Sequence, residues 1–396
     1  MINRFVLNEV SYFGPGAREV LPQEIKRLGL HKAFVATDKD LIKFGVADKV
    51  LKVLENAGIP YEIFSEIKPN PTVSNVKAGV EAFAKSGADF ILAIGGGSSI
   101  DTSKAIGIIT NNPDFSDVVS LEGVAPTKKK SVPIIALPTT AGTAAEVTIN
   151  YVITDEENHK KMVCVDPNDI PSVAIVDPEL MYSMPKGLTA ATGMDALTHA
   201  VEAYIGNSTT IDTRRDALKA VKLIFENIDI AYEHGDNIQA RRNMLHASFY
   251  AGCAFTKSYV GYVHAVAHSL GGQYNVPHGL ANAILLPLVL REYGSCIDKK
   301  LHRLAIAAGL ADKKTPDHEA AELFIRSIEE MKERIGIVNI VKEIQETDIP
   351  KLAHYADKEA NPLYPVPKLM DASELEKFYY MLMSLTSKEN TSEAEK

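Results

Sequence analysis

The chain has 396 residues, 46% hydrophobic and 23% charged, a composition of folded globular domains that excludes a disordered or fibrous protein. Its length exceeds what a single hydrophobic core serves and predicts two domains. A net charge of −9 and a pI near 5.7 exclude the basic balance that recruits nucleic acid or an anionic membrane, so neither is expected as a partner.

The first half alternates helix and strand signals. Val20, Leu21, Ile25 and Leu28 recur at helical spacing up to Gly29, and 33–36 reads as a short buried strand followed by Thr37-Asp38. A second helix is expected over 46–57, stopped by Gly58, and a strand over 61–64. The turn Lys68-Pro69-Asn70-Pro71-Thr72 introduces another helix. Segments 90–94, 132–137 and 173–176 are continuously apolar, as in strands covered on both faces of a parallel sheet. Strands and helices in alternation predict an α/β domain with a doubly wound, mostly parallel sheet.

Gly95-Gly96-Gly97-Ser98-Ser99 follows the strand at 90–94, and Ile100, Ala105 and Ile108 continue as a helix. Glycines let backbone approach a phosphate, and the helix N-terminus offers free N–H groups and a positive dipole end. This suits a dinucleotide pyrophosphate. The spacing is not G-x-G-x-x-G, and a plain tight turn is the alternative. Asp38, at the end of an earlier strand, suits ribose hydroxyls and repels a 2′-phosphate, or it caps a helix. The hydroxyl-rich loop 138–148 follows another strand, so Thr139 and Thr140 are candidates for phosphate or ribose, with a capping loop as the alternative. Lys161 reaches a ribose or stays a solvated surface lysine, and the residues alone do not decide.

After Pro185 the continuous apolar strands disappear, and helical patterns such as 217–230 and 241–255 take over. The boundary falls near Ser183-Met184-Pro185-Lys186, giving a dinucleotide-binding domain over 1–184 and an all-helical, metal-binding domain over 185–396. Within the latter, G-Y-V-H-A-V-A-H-S-L-G-G-Q-Y-N-V-P-H-G-L-A-N concentrates His264, His268 and His278. His264 and His268 are four apart and share a helical face lined by small apolar residues. Asp195 and His199, in G-M-D-A-L-T-H-A-V-E-A-Y, have the same spacing. Satisfied core histidines and an ordinary helix pair are the bland readings. Taken together, one carboxylate and several imidazoles make a mixed oxygen and nitrogen site suited to iron(II) or zinc. A metal and a dinucleotide on opposite sides of a cleft would describe a redox enzyme acting on an alcohol or carbonyl.

Cys164, Cys253 and Cys296 have no paired spacing, which fits a reducing compartment, and a cytoplasmic location is expected. M-I-N-R-F-V-L lacks the apolar core of a signal peptide, no apolar run long enough to span a membrane is expected, and the tail from Ser387 is expected to fray.

G-G-G-S-S-I-D, P-T-T-A-G-T-A-A-E-V-T, G-M-D-A-L-T-H-A and H-A-V-A-H-S-L-G-G-Q-Y-N-V-P-H-G occur in this order along nearly the whole chain. Together they resemble the iron-containing (group III) alcohol dehydrogenase family. Segments 111–123, 148–157 and 161–171 most resemble its branch acting on lactaldehyde and 1,2-propanediol, whereas N-P-L-Y-P-V-P-K-L-M-D departs from that branch. The resemblance implies hydride transfer between NADH and a small aldehyde. It places the metal on Asp195, His199, His264 and His278, as iron(II) with zinc possible. It puts His268 near the nicotinamide as a proton relay. NAD(H) contacts would fall on Asp38, Asn70, Gly96, Gly97, Ser98, Thr139, Thr140, Thr148, Lys161 and Leu180, with Asn150 and Phe255 lining the pocket. It further implies a homodimer or an assembly of dimers, joined partly through an N-terminal strand.

Overall fold

The computed structural model describes residues 6–341 and 344–394, from 387 onward as backbone only. The chain forms two compact units, Met1–Pro185 with Gly235–Leu245, and Lys186–His234 with His246–Lys396. The return of 235–245 to the first unit is not visible in a simple cut of the sequence. Arg241 holds it there: this fully buried guanidinium donates to the carbonyls of Gly235 at 2.8 Å and Met184 at 3.3 Å.

The first unit is built on strands β1 (Val10–Phe13), β2 (Ala33–Ala36), β3 (Tyr61–Phe64), β4 (Phe90–Gly95), β5 (Ile134–Pro138) and β8 (Val173–Val176). They form one parallel sheet in the order β1-β8-β5-β4-β2-β3. Strands β6 (Asn150–Asp155) and β7 (Lys160–Val165) form a separate antiparallel pair. The helices are α1 (Leu21–Arg27), α2 (Lys39–Lys43), α3 (Val46–Asn56), α4 (Val73–Ser86) and α5 (Gly97–Asn111).

The period of two along each strand sorts its side chains between two cores. Val35, Leu92, Ile94, Ile135, Leu137, Val173 and Ile175 pack with Leu21, Ile25, Val50 and Leu54 of α1 and α3. Phe34, Ala36, Ile91, Ala93, Ile134 and Ala136 pack with Phe83 of α4 and with Ile100 and Ile106 of α5. Both faces are therefore apolar, which accounts for the continuous apolar runs. The chain winds outward from β2 to β3 and in the opposite sense from β4 to β5. The carboxyl ends of neighbouring β2 and β4 thus form a topological switch point, where open α/β sheets bind ligands.

An N-terminal strand was expected only from the family resemblance, and β1 is a strand at the edge of the sheet; β6 was not anticipated. In β6 Tyr151, Ile153 and Asp155 are buried and alternate with half-exposed residues, as in a strand with one covered face, but the residue types do not alternate: half-exposed Val152 is apolar and buried Asp155 is charged.

The second unit contains α6 (Lys186–Ile205), α7 (Ile211–Glu233), the later part of α8 (Ile238–Ser258), α9 (Tyr262–Tyr274), α10 (His278–Tyr293), α11 (Asp298–Ala307), α12 (Asp317–Arg334), α13 (Ile349–Ala360) and α14 (Ala372–Ala394). Helix α10 packs against both α6 and α9, and α13 packs against α9. Among the described residues no strand follows β8. The run His278–Ala307 is long and apolar enough to cross a membrane by composition, contrary to the expectation of none. The most apolar part of the run is mostly buried, as in a core helix, and the 3-10 turn Gly294–Ile297 divides the run between α10 and α11. The tail expected to fray is helical through Ala394, since it contains no proline or glycine to stop α14. Residues 1–5, on which the signal-peptide reading partly rested, lie outside the described residues.

Candidate metal centre and dinucleotide site

Asp195 and His199 lie one turn apart on α6, His264 lies in the first turn of α9, and His278 opens α10. The packing of α10 against the other two helices gathers all four. Asp195, His199 and His264 are buried, and one possible ligand atom from each lies within 4.8 Å of the others. Oδ1 of Asp195 is 3.4 Å from Nε2 of His278 and 3.9 Å from Nε2 of His264, and its Oδ2 is 3.9 Å from Nδ1 of His199. Bonds of about 2.0–2.2 Å to one tetrahedral cation would need edges of about 3.4 Å, so small movements suffice.

The surroundings orient these candidate ligands. Glu202 is seven residues after Asp195, on the same face of α6. Its Oε2 takes a 2.6 Å hydrogen bond from Nδ1 of His264 and one of 2.9 Å from the Gly261 amide, and its Oε1 accepts from the Val263 amide at 2.8 Å. With the proton on Nδ1, the lone pair of His264 sits on Nε2, facing Asp195. Burial works against charging this imidazole, but Glu202 and Asp195 outweigh it and hold the His264 pKa above its ordinary value. The His199 ring is stacked between Phe255 at 4.1 Å and His264 at 4.4 Å. Phe255 therefore supports a candidate ligand directly.

Asn282 stands one turn after His278. Its Nδ2 is 2.7 Å from Asp195 Oδ1, 3.2 Å from His264 Nε2 and 3.1 Å from His278 Nε2. Two amide hydrogens cannot serve three acceptors, and the amide's own Oδ1 is buried without a hydrogen-bond partner. A convergence of acceptors around one scarce donor is what a divalent cation resolves, so the residues fit the metal.

His268 follows His264 on α9, with ring centroids 5.9 Å apart, and its ring stacks on His278 at 5.0 Å. Its Nδ1 lies 2.8 Å from Oε1 of Glu359 on α13. Glu202 and Asn282 were missed in the sequence, although i+7 from Asp195 and i+4 from His278 mark them. Glu359 carries no such signal, because it reaches the cluster from a distant helix.

In the first unit, Gly95 has φ +154°, and a Cβ there would lie 2.2 Å from Oγ of Ser99, so the strand can turn into α5 only with glycine. Gly96, Gly97 and Ser98 occupy the start of α5, where first-turn amides lack intrahelical acceptors. Thr139 and Thr140 lie beside them: the Thr139 amide donates to the Gly95 carbonyl at 3.0 Å, and a Cβ on Gly96 would meet Thr140 Oγ1 at 3.0 Å. Asp38 follows β2 and caps α2 through a 2.9 Å bond from the Leu41 amide to its Oδ1.

Lys161 is buried, not a solvated surface lysine, and donates to Asn70 Oδ1 at 2.8 Å. Thr148 and Asn150 are tied to Lys104, a fully buried cation on α5 that donates to their carbonyls at 2.6 and 2.7 Å. Burial raises Asp101, one turn before Lys104, to about 6 against the pull of that lysine. Lys104 lies inside an apolar helical pattern, which is the signal in the sequence for a buried charge. Leu180 sits in the core beneath the sheet.

The sequence matches the family model for iron-containing alcohol dehydrogenase over residues 8–178 and that for the Fe-containing alcohol dehydrogenase family, C-terminal, over 189–383. It is 46% identical over 358 residues to lactaldehyde reductase of Escherichia coli (strain K12), covering 90% of this chain and 93% of that protein. It is 42% identical over 361 residues to 1,3-propanediol dehydrogenase of Citrobacter freundii, with coverage of 90% and 93%. A crystal structure of 1,3-propanediol oxidoreductase matches with a TM-score of 0.91 at 40% identity, over 96% of this chain and 100% of that one. Sulfoacetaldehyde reductase from Bifidobacterium kashiwanohense in complex with NAD+ matches with a TM-score of 0.83 at 30% identity, over 97% and 99%. The chain belongs to the iron-containing alcohol dehydrogenase family.

Proposed function

We propose that the protein is a metal-dependent, NAD(H)-linked alcohol dehydrogenase and aldehyde reductase, with lactaldehyde and 1,2-propanediol as its substrate pair. The observation that carries this reading is the gathering of Asp195, His199, His264 and His278 from three helices into one cluster. Iron(II) is the proposed metal, with zinc as the competing cation. When bound, the cation supplies Lewis acidity toward an alcohol or carbonyl oxygen, and the dinucleotide supplies or takes the hydride.

The chain's own residues do the rest. The four ligands hold the cation, and Glu202 keeps the Nδ1 proton of His264 so that Nε2 stays available. The amides of Gly96, Gly97 and Ser98 face a pyrophosphate, aided by Thr139 and Thr140, while Asp38 accepts from ribose hydroxyls and disfavours a 2′-phosphate. Lys161 with Asn70, together with Thr148, Asn150 and Leu180, completes the dinucleotide site. His268, its Nδ1 held by Glu359, passes a proton to the substrate oxygen from Nε2.

Lactaldehyde as substrate is supported by the 46% identity to the Escherichia coli enzyme. The relation to 1,3-propanediol dehydrogenase favours a second reading in which a 1,3-diol is the alcohol. A homodimer and a cytoplasmic location complete the proposal; the first is in keeping with β1 as an edge strand and the second with three free cysteines.

The test is NADH oxidation over a panel of small aldehydes, with protein reconstituted anaerobically with iron(II) or zinc. Fastest turnover of lactaldehyde with iron supports the full reading. Preference for 3-hydroxypropanal transfers it to the 1,3-diol, and no turnover with either metal overturns it.

A further inference from the structure

Glu359 stands on α13, and its carboxylate reaches the histidine cluster of α9 and α10. Its Oε1 accepts from Nδ1 of His268 at 2.8 Å and from the Tyr364 hydroxyl at 2.8 Å. The His268 ring stacks on His278 at 5.0 Å with 15° between the planes, and His278 Nε2 is 3.4 Å from Asp195 Oδ1. Glu359 is therefore separated from the candidate ligand set by a single imidazole. Its side chain is only 16% exposed, so water and salt screen it weakly.

Three carboxylates act on the cluster together: Asp195, Glu202 and Glu359 all bear on His264. A divalent cation among neutral imidazoles offsets two of those charges and leaves the third. An aldehyde whose other substituent is a carboxylate or sulfonate would add an anion to a site already in surplus. An uncharged hydroxyaldehyde adds none.

We infer that Glu359 is a positioning and specificity residue, which fixes the His268 ring and by its charge makes the site select uncharged small aldehydes over anionic ones. The inference rests on the dehydrogenase reading above. The two oxygens of Glu359 are not equivalent in this role. Oε1 serves both hydrogen bonds, so the nearly isosteric Glu359→Gln can keep both while losing the charge. Glu359→Asp keeps the charge but shortens the reach.

The experiment uses iron-loaded wild type, Glu359→Gln and Glu359→Asp with NADH and a matched pair of aldehydes, glycolaldehyde and glyoxylate. A unit charge roughly 10 Å away in an effective dielectric of about 20 predicts about a tenfold change. In Glu359→Gln the ratio of kcat/KM for glyoxylate over glycolaldehyde should rise by about that factor, chiefly through a lower KM for glyoxylate. Glu359→Asp should keep the wild-type ratio even where its overall rate falls. Independently of turnover, calorimetric binding of glycolate should tighten by a similar factor in Glu359→Gln alone. A folded, iron-retaining Glu359→Gln with unchanged ratio and unchanged glycolate affinity overturns the proposal. Absence of turnover by wild type with every aldehyde of the panel overturns the dehydrogenase reading instead, and the glycolate measurement still decides the role of the Glu359 charge.

Discussion

Replacing Glu202 by glutamine exchanges one oxygen for an amino group at a buried junction of three hydrogen bonds. Oε2 receives the Gly261 amide at 2.9 Å and His264 Nδ1 at 2.6 Å, and Oε1 receives the Val263 amide at 2.8 Å. If the new amide nitrogen faces Val263, that buried N–H loses its acceptor, at a cost of about 1–3 kcal/mol. If it faces the other side, the Gly261 amide is orphaned and the glutamine donates to Nδ1. The imidazole proton then moves to Nε2, the nitrogen a cation needs bare. Charge-assisted bonds become neutral ones in either case, so the metal-free protein should lose about 2–4 kcal/mol of stability. Loss of such an orienting carboxylate typically weakens metal binding about 10–100-fold, or about 1.4–2.7 kcal/mol. Urea denaturation of the metal-free protein gives the first quantity, and competition with a chelator for zinc or anaerobic iron(II) gives the second. Stability lost as expected with metal affinity within about twofold of wild type would refute the tautomer argument and leave Glu202 as a helix cap.

Further outcomes divide the remaining assignments. His264→Ala should lose metal on dialysis and abolish turnover, whereas His268→Ala should retain metal and turn over about 10²–10⁴-fold more slowly. Metal analysis of both decides the division, and loss of metal from the second would make His268 a ligand. Asp38→Gly should shift the ratio of NADP to NAD use upward by about tenfold, measured as kcat/KM, and an unchanged ratio would reduce Asp38 to the cap of α2. Burial raises the Glu146 carboxyl from 4.5 to about 7, against its backbone contact and the charge of Lys104. The folded chain therefore holds this proton where the unfolded chain has lost it, so stability present below about 4.5 is lost as pH rises through about 7. Glu146→Gln should remove that decline, worth about 3 kcal/mol at pH 8. Equal pH responses of the two proteins in urea titrations at pH 5 and pH 8 would refute it.

What the sequence disclosed follows from the range of the interactions. Continuous apolar runs at 90–94 and 173–176 announced strands covered on both faces, because each strand feeds two cores. Asp195 and His199, and His264 and His268, were legible because one helical turn sets their relation before any tertiary contact forms. Strand β6 was hidden because its burial alternates while its residue types do not: Val152 is apolar on the half-exposed side and Asp155 charged on the buried one. Lys161 was undecidable because its exposure depends on Asn70, which β7 meets only in the folded chain. Glu359 lay beyond reach for the same reason: nothing in the spacing of α13 says that it will close on a histidine of α9.

The return of 235–245 to the first unit bears on how the protein is made. A nascent chain that has emerged only as far as Pro185 holds every strand of the parallel sheet, yet it lacks Arg241 and the Gly235 carbonyl that this side chain grips. Met184 then presents its carbonyl to no guanidinium. The first unit cannot be completed on the ribosome until Leu245 has followed, by which point α6 and α7, with Asp195 and His199, have already been synthesised. Half of the candidate ligand set thus emerges before the sheet unit is closed, and a fragment excised at the apparent boundary should be less stable than the same unit in the whole chain.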